Sequence, residues 1–211
     1  PVTDAPVPSN YVIGPGDTVN ILFFGKKSID FSQQVARDGN LKIPELGPVS
    51  VAGLTFTELK ANINERIANQ MVGVKVSISL GELRSIRVFV LGDVEKPGSY
   101  TVNSLSTLTN AIFASGGITR IGTLRDIQLK RNGKIISHFD LYDLLLRGDT
   151  SSDRRLLPGD VVFVPPIGST VGILGEVRRP AIYELKKDRK NLSAIITTAG
   201  GASPNAKISA I

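Results

Sequence analysis

The sequence predicts an α+β protein in which an N-terminal module is followed by two copies of a second unit. Two echoes predict the duplication. GDVEKPGSY, which starts at Gly92, returns as GEVRRPAIY at Gly175, and LTNAIFASGGIT, which starts at Leu108, returns as LSAIITTAGGAS at Leu192. The α+β class follows because the repeated unit is predicted to contain two strands, a helix and then further strands.

The N-terminal part is predicted to divide into a linker and a module. Residues 1–10 contain three prolines and few large side chains, which predicts an extended linker. The module, residues 11–81, starts with YVIGPGDTVNILFFG, which predicts a turn and a strand. QQVARDGNLKIPELG then predicts a hairpin that turns at Asp38-Gly39, and the alternating segment VGVKVSISL predicts the last strand.

One helix is predicted inside this module, in the segment TFTELKANINERIANQ. Thr55 and Glu58 have the spacing of a capping box, in which each side chain accepts a hydrogen bond from the other residue's backbone N–H. The apolar residues of the helix fall on one face, as a helix packed on a sheet requires. They are Phe56, Leu59, Ile63 and Ile67.

Each copy of the repeated unit is predicted to begin with a strand, a turn and a return strand. Pro97 and Pro180 restrict the backbone at the turn, and Tyr100 and Tyr183 begin the return strand. A short helix with one apolar face follows. That face comprises Leu105, Leu108, Ala111 and Ile112 in the first copy, and Leu192, Ile195, Ile196 and Ala199 in the second.

Glycine and aspartate mark the turns of these units. Gly116-Gly117 and Gly200-Gly201 follow the predicted helices, so they are predicted to end them in the left-handed conformation. A phosphate-binding glycine loop would precede a helix instead. Pro15-Gly16-Asp17 and Pro158-Gly159-Asp160 predict tight turns in which the aspartate accepts bonds from nearby backbone N–H groups.

After its glycine pair, the first copy is predicted to continue with three more strands and a short helix. DIQLKRNGKIISHFDL predicts a hairpin that turns at Asn132-Gly133, LYDLLLRG a short helix, and RLLPGDVVFVPP a closing strand. This order of elements is typical of a β-grasp unit. We therefore expect a first β-grasp domain at residues 86–166 and a second at residues 171–211, with the second one incomplete.

Few residues in the sequence favour catalysis or metal binding. The chain has no cysteine, and its one histidine, His138, shares a strand face with Asp140. A His–Asp pair there would still lack a nucleophile, because no G-x-S-x-G elbow is present. His138 is therefore predicted to be a surface or sheet-face histidine. Asp93 and Glu176, the repeated acids, are predicted to shape the backbone only, and we predict no catalytic residue, metal or cofactor.

Positive charge is concentrated near the end of the chain. The net charge is +6, and residues 171–211 hold seven basic against three acidic side chains. Arg178, Arg179, Lys186 and Lys187 are the candidate contacts to an anionic polymer or to a neighbouring subunit. A solvated loop is the alternative interpretation. Tryptophan is absent and aromatics are few, so no nucleic-acid platform is predicted.

The order of these motifs resembles the bacterial outer-membrane polysaccharide export family. The N-terminal module, with YVIGPGDTVNILFFG, ARDGNLKIPELGPVSVAGLTFTELKANI and VKVSISL, resembles its polysaccharide export domain. The repeats, with VFVLGDVEKPGSY and LTNAIFASGGIT, resemble its soluble-ligand-binding β-grasp (SLBB) domains. The resemblance covers nearly all of residues 11–211.

The resemblance implies a non-enzymatic conduit. Members are expected to form a lipid-anchored ring of identical subunits, typically eight, at the periplasmic face of the outer membrane. Capsular or extracellular polysaccharide would pass through the ring, which would work with an inner-membrane polysaccharide co-polymerase and tyrosine kinase. No apolar run here reaches the roughly 18 residues that span a bilayer, so we expect these residues to lie outside the membrane. The resemblance implies that they are periplasmic. A soluble module that binds a small ligand is the alternative, and an enzyme is the third.

Overall fold

The computed structural model describes residues 7–25, 28–71, 73–186, 191–204 and 206, and it confirms the α+β class. The chain divides into two compact units, Pro1–Ser85 and Ile86–Ile211. Most of the predicted linker at residues 1–10 lies outside the described residues. Among the helices that are described, none is long and apolar enough to cross a membrane.

The N-terminal unit contains a three-stranded sheet, a separate hairpin and one helix. Its elements are β1 (Thr18–Gly25), β2 (Ile29–Gln34), β3 (Asn40–Ile43), β4 (Gly47–Ser50), α1 (Phe56–Gln70) and β5 (Val74–Leu80). β1 lies at the centre of the sheet and pairs antiparallel with β2 on one side and β5 on the other. The alternation of β1 places Val19, Ile21 and Phe23 in the core, each at most 3% exposed.

The capping box predicted for α1 is confirmed. The Thr55 backbone N–H donates to Glu58 Oε2 at 2.7 Å, and the Glu58 N–H donates to Thr55 Oγ1 at 3.2 Å. The Thr55 hydroxyl also donates to Glu58 Oε2, at 2.8 Å, and the bonds from the Thr55 N–H and hydroxyl lower the pKa of the Glu58 carboxyl from its usual value. The predicted stripe is also confirmed, because Leu59, Ile63 and Ile67 are buried while Phe56 is half-buried.

The hairpin predicted at Asp38-Gly39 is wrong in its strand pairing. The chain does turn there, with Gly39 at φ +81° and its N–H donating to Ala36 O at 2.9 Å. The strands on either side belong to different sheets, since β2 pairs with β1 and β3 pairs with β4. A Gly-containing turn reverses the chain locally, but burial of the alternating apolar residues on each strand decides which strands pair.

The C-terminal unit contains both repeats. The elements of the first are β6 (Ser85–Gly92), β7 (Gly98–Asn103), α2 (Leu108–Ala114), β8 (Ile127–Arg131), β9 (Lys134–Phe139), α3 (Leu141–Arg147) and β10 (Val161–Val164). The elements of the second are β11 (Thr170–Ile173), β12 (Ala181–Glu184) and α4 (Leu192–Thr198).

The first repeat is a mixed five-stranded sheet in the order β7-β6-β10-β8-β9. β10 runs parallel to β6 and antiparallel to β8, and α2 packs on one face through the fully buried Leu108 and Ala111. The predicted hairpin between β8 and β9 is confirmed, with Asn132 at φ 50° and Gly133 at φ 74° in its two-residue turn.

The repeated tyrosine has the same local function in both copies. Tyr100 Oη donates to the Lys96 carbonyl at 2.5 Å, and Tyr183 Oη donates to the Arg179 carbonyl at 2.7 Å. Each bond closes the turn that contains Pro97 or Pro180. This interaction within four residues explains why tyrosine is found in both motifs.

The repeated acids, Asp93 and Glu176, also stabilise the turn, mainly through hydrogen bonds to their backbone carbonyls. The Asp93 carbonyl accepts from Thr119 N at 3.0 Å, and the Glu176 carbonyl accepts from Ser203 N at 2.9 Å. The Glu176 carboxylate accepts a further bond from the Ser203 hydroxyl. These contacts tie each turn to the segment after the glycine pair.

The predicted helix of the second copy is present as α4, but its apolar face is less buried than that of α2. Leu192 is 72% exposed, whereas its counterpart Leu108 is fully buried. In the first repeat, Leu156 belongs to the same buried cluster as Leu108, whose N–H donates to the Arg154 carbonyl. No described segment covers Leu192 in this way, and only Ala199 of the four predicted residues is buried. Helical periodicity predicts which residues share a face, but the neighbouring segment decides whether that face is covered.

Both Pro-Gly-Asp turns are confirmed as structural. Asp17 Oδ2 accepts from Gly14 N and Asp160 Oδ2 accepts from Leu157 N, each at 2.8 Å. Both carboxylates are fully buried. Each also pairs with an arginine distant in sequence: Asp17 with Arg84, and Asp160 with Arg131, whose Nε and Nη2 donate at 2.7 and 2.9 Å. The sequence did not indicate these arginines.

Candidate functional site

A cleft with a volume of about 460 Å³ lies inside the C-terminal unit, between the first repeat and the second. One wall is formed by Arg125 and by α3, and the other by β11, β12 and α4. Its position depends on the contacts that join β12 to the first repeat.

The carboxylate of Glu184 joins the two repeats. This side chain is at the end of β12 and the residue is 5% exposed. Its Oε1 accepts from Thr123 Oγ1 at 2.6 Å and from Gly168 N at 3.0 Å, and its Oε2 accepts from Leu124 N at 2.8 Å. Three donors therefore satisfy a carboxylate that burial would otherwise destabilise.

Arg125 adds a second connection between the repeats. Its Nε donates to the Glu184 carbonyl at 2.6 Å, and its Nη1 donates to Asp140 Oδ2 at 3.0 Å. The guanidinium carbon lies 3.9 Å from the centroid of the Tyr142 ring, which is a cation–π contact. Lys186 Nζ lies 3.6 Å from the same Asp140 oxygen. Asp140 thus receives two cations, one from each repeat.

Tyr142 and Tyr183 supply the aromatic surface of the cleft. Their ring centroids are 6.4 Å apart and the rings are inclined at 50°. The Tyr142 hydroxyl accepts a bond from the Glu184 backbone N–H at 3.0 Å. Burial raises the pKa of Tyr142 above its usual value of 10.0, so the phenol stays neutral at physiological pH.

The rim of the cleft carries exposed cations. Arg147 pairs with Asp143 at 3.1 Å, one helical turn earlier on α3. Arg179 donates from Nη2 to the Thr198 carbonyl at 3.3 Å. Among the described residues, Arg179 has no carboxylate within ion-pair distance, which distinguishes it from Arg125, Arg147 and Lys186.

The four basic residues predicted from sequence separate in space. Arg179 and Lys186 line the cleft. Arg178 is exposed and outside the lining, and its backbone N–H donates to the Gly201 carbonyl at 3.1 Å. Lys187 lies outside the described residues. A role for any of them in polymer or subunit contacts stays a prediction.

Sequence reasoning missed the residues that position the cleft, above all Glu184. One signal for it was present, because alignment of the copies on Tyr100 and Tyr183 places Glu184 opposite Thr101. A carboxylate that replaces threonine at one strand position indicates a partner that only the second copy has. Arg125 and Thr123 carried no comparable signal, since their partners are some 60 residues away.

His138 does contact an aspartate, but the contact is to Asp126 and not to Asp140. His138 Nδ1 lies 2.5 Å from Asp126 Oδ1, and the histidine side chain is 57% exposed. Asp140 instead caps α3, accepting from Tyr142 N at 3.0 Å. The pairing arises because His138 lies opposite Gln128 on β8, close to the start of that strand. Among the described residues, no cluster of three or more metal-binding side chains is found.

We expect Glu184→Gln to lower the free energy of unfolding of the second repeat by about 1–3 kcal/mol. The amide would place an N–H₂ group against one of the N–H donors that the carboxylate now accepts. Faster amide hydrogen exchange in β12 would measure the effect. Glu95→Gln makes the same change at an exposed side chain and should alter stability by less than about 0.5 kcal/mol. Equal effects of the two substitutions would contradict the prediction.

Comparison with family models finds three matches in order along the chain. Residues 5–81 match the model described as polysaccharide biosynthesis/export protein, and residues 86–164 and 170–211 each match an SLBB domain model. The second match covers β6 to β10 except for Ser85, and the third match begins at the start of β11.

Curated relatives are similar over most of the chain. The polysialic acid transport protein KpsD of Escherichia coli is 30% identical over 180 residues, which cover 84% of this chain and 32% of KpsD. The EPS I polysaccharide export outer membrane protein EpsA of Ralstonia nicotianae is 32% identical over 192 residues, which cover 90% of this chain and 50% of EpsA. The chain therefore spans a third to a half of the length of these relatives.

Proposed function

The chain belongs to the polysaccharide export family, with one polysaccharide biosynthesis/export domain followed by two SLBB domains, and from this premise we propose that it is part of a protein that exports a capsular or extracellular polysaccharide. The observation that carries the proposal is the order of the three matched domains. The names of KpsD and EpsA, a polysialic acid transporter and an exopolysaccharide exporter of the outer membrane, support the same role.

The proposed mechanism is geometric. Copies of the chain assemble into a ring, and the polymer passes through the lumen of that ring. Measurement of the oligomeric state of the full-length protein tests for the ring. The described residues lie at the periplasmic face of the outer membrane, and an inner-membrane polysaccharide co-polymerase with its tyrosine kinase delivers the polymer. In this mechanism the protein guides the polymer and breaks no bond in it. Arg179 and Lys186 contact the polymer, and Arg178 and Lys187 contact a neighbouring subunit.

Deletion of the encoding gene tests the proposal. We expect the strain to lose its surface polysaccharide while the polymer accumulates inside the cell, because synthesis does not depend on the conduit. Polysaccharide is measured in surface, periplasmic and cytoplasmic fractions, and a plasmid-borne copy of the gene should restore the surface fraction. Unchanged surface polysaccharide in the deletion strain would contradict the proposal.

A second candidate function follows from the cleft itself. Its volume of about 460 Å³ is within the range of roughly 300–1,000 Å³ that small-molecule sites occupy. A soluble ligand-binding module would hold one small molecule there and would have no part in export. A deletion strain with normal surface polysaccharide, together with tight one-to-one binding of a small molecule by calorimetry, would favour this alternative.

A further inference from the structure

The cleft between the repeats has an apolar floor, and more of its lining residues are basic than acidic. Tyr142 and Tyr183 contribute rings, and Leu146, Val171 and Ile195 contribute aliphatic surface. Sugar rings have apolar faces of C–H groups and polar edges of hydroxyl groups. A site with aromatic surface and several polar groups is therefore suited to a sugar.

The charges that line the cleft favour an anionic ligand over a neutral one. Of its lining residues four are basic and two are acidic. Both acids are already engaged, since Glu184 accepts three hydrogen bonds from the protein and Asp143 pairs with Arg147. The lining therefore keeps a net positive charge, and both carboxylates are directed to protein donors.

Arg179 is the cation best placed to bind such a ligand. Its side chain is exposed, and within the described part of the chain its one side-chain hydrogen bond is the 3.3 Å contact to the Thr198 carbonyl. The guanidinium N–H groups that are not used in this contact form a planar fork, which matches the two oxygens of a carboxylate. Its backbone is held by the hydrogen bond from Tyr183 Oη, and its Nε would lie 3.3 Å from a Cβ at Gly200, so the side chain packs over the glycine that follows α4.

We propose that this cleft binds a sugar residue that bears a carboxylate, with Arg179 pairing with the carboxylate, Lys186 adding a second positive charge, and Tyr142 and Tyr183 packing against the sugar ring. The inference rests on the proposed function, in that the ligand is one residue of the exported polymer. To the proposed function the inference adds that the ligand is an acidic sugar and that it binds at the junction of the two repeats.

Calorimetric titration of the 211-residue chain at low salt tests the ligand class. The probes are tetragalacturonate and an α-2,8-linked tetramer of sialic acid, each compared with its full methyl ester. Esterification keeps the sugar, the linkage and nearly the same shape but removes the charge. We expect at least one acid to bind and its ester to bind about tenfold more weakly or worse, as the loss of charge-assisted hydrogen bonds predicts.

Two neighbouring arginines supply a matched pair of variants for the same titration. Arg179→Gln is expected to weaken binding of the acid about tenfold. Arg178→Gln makes the same change in charge one residue away, outside the cleft, and is expected to change affinity less than about twofold because exposed charges are screened. Arg179→Lys should fall between the two, since lysine keeps the charge but lacks the fork. Far-UV circular dichroism establishes that each variant is folded.

Three results would overturn the proposal: equal affinity for acid and ester, equal losses in the Arg178 and Arg179 variants, or no binding of either acid. The first indicates a neutral-sugar site and the second a general effect of net charge. None of them bears on export itself, because the deletion strain reports on export independently. Loss of surface polysaccharide in that strain with no binding of the acids would leave the proposed function standing and remove this inference.

Discussion

Asp17→Ala is expected to lower the free energy of unfolding of the N-terminal unit by about 3–5 kcal/mol, as breaking a buried ion pair does in other proteins. Asp17 is fully buried and accepts from Tyr11 Oη at 2.7 Å, Gly14 N at 2.8 Å and Arg84 N at 2.9 Å, and it pairs with the Arg84 guanidinium. Truncation removes the shared acceptor of these donors and leaves a cation, 20% exposed, without its carboxylate.

Amide hydrogen exchange in β1 and α1 measures this loss, because it reports the opening free energy of the unit that contains Asp17. Asp30→Ala is the control, since Asp30 is exposed on β2 in the same unit. We expect the control to change stability by less than about 0.5 kcal/mol. A loss below about 1 kcal/mol for Asp17→Ala would show that the buried pair is not a main source of stability.

Gly92→Ala is expected to destabilise the first repeat by about 2–5 kcal/mol, by adding a steric clash to an unfavourable backbone conformation. Gly92 has φ +90°, and a Cβ there would lie 2.1 Å from the Val164 carbonyl oxygen. That oxygen belongs to β10, which pairs parallel to β6. Relief of the clash would require separation of two central strands.

Gly175→Ala provides the matched control at the equivalent position of the second copy. Gly175 has φ +86°, but a Cβ there would meet nothing within 4 Å. Only the conformational cost remains, so the expected loss is about 1–2 kcal/mol. Urea unfolding followed by circular dichroism compares the two variants. Equal losses would mean that backbone conformation, and not the approach of β10, accounts for the glycine.

Local interactions explain the parts of the fold that could be predicted from sequence. The Thr55–Glu58 capping box, the Asn132-Gly133 turn and the two Pro-Gly-Asp turns each depend on bonds between residues at most three positions apart. The repeated tyrosine bonds a carbonyl four residues earlier. Such bonds are encoded by residue type and spacing alone, so a single sequence suffices to predict them.

Long-range contacts explain what was missed or wrong. His138 was predicted beside Asp140 because both lie on one strand face, yet its partner comes from the segment before β8. The turn at Asp38-Gly39 was recognised, while the pairing of β3 with β4 depended on burial elsewhere. Leu192 follows the same helical pattern as Leu108 and is nevertheless 72% exposed, because exposure depends on what covers a face.

The candidate site was likewise only partly predictable from the sequence. The sequence by itself determined the order of the three domains, the duplication and the concentration of positive charge that contains Arg179 and Lys186. Only the tertiary structure decided that those two side chains line a cleft and that Arg178 does not. The physical reason is the junction at Glu184, whose carboxylate binds Thr123, 61 residues earlier, and so sets the position of one repeat against the other. No spacing rule within a single segment encodes a contact of that range.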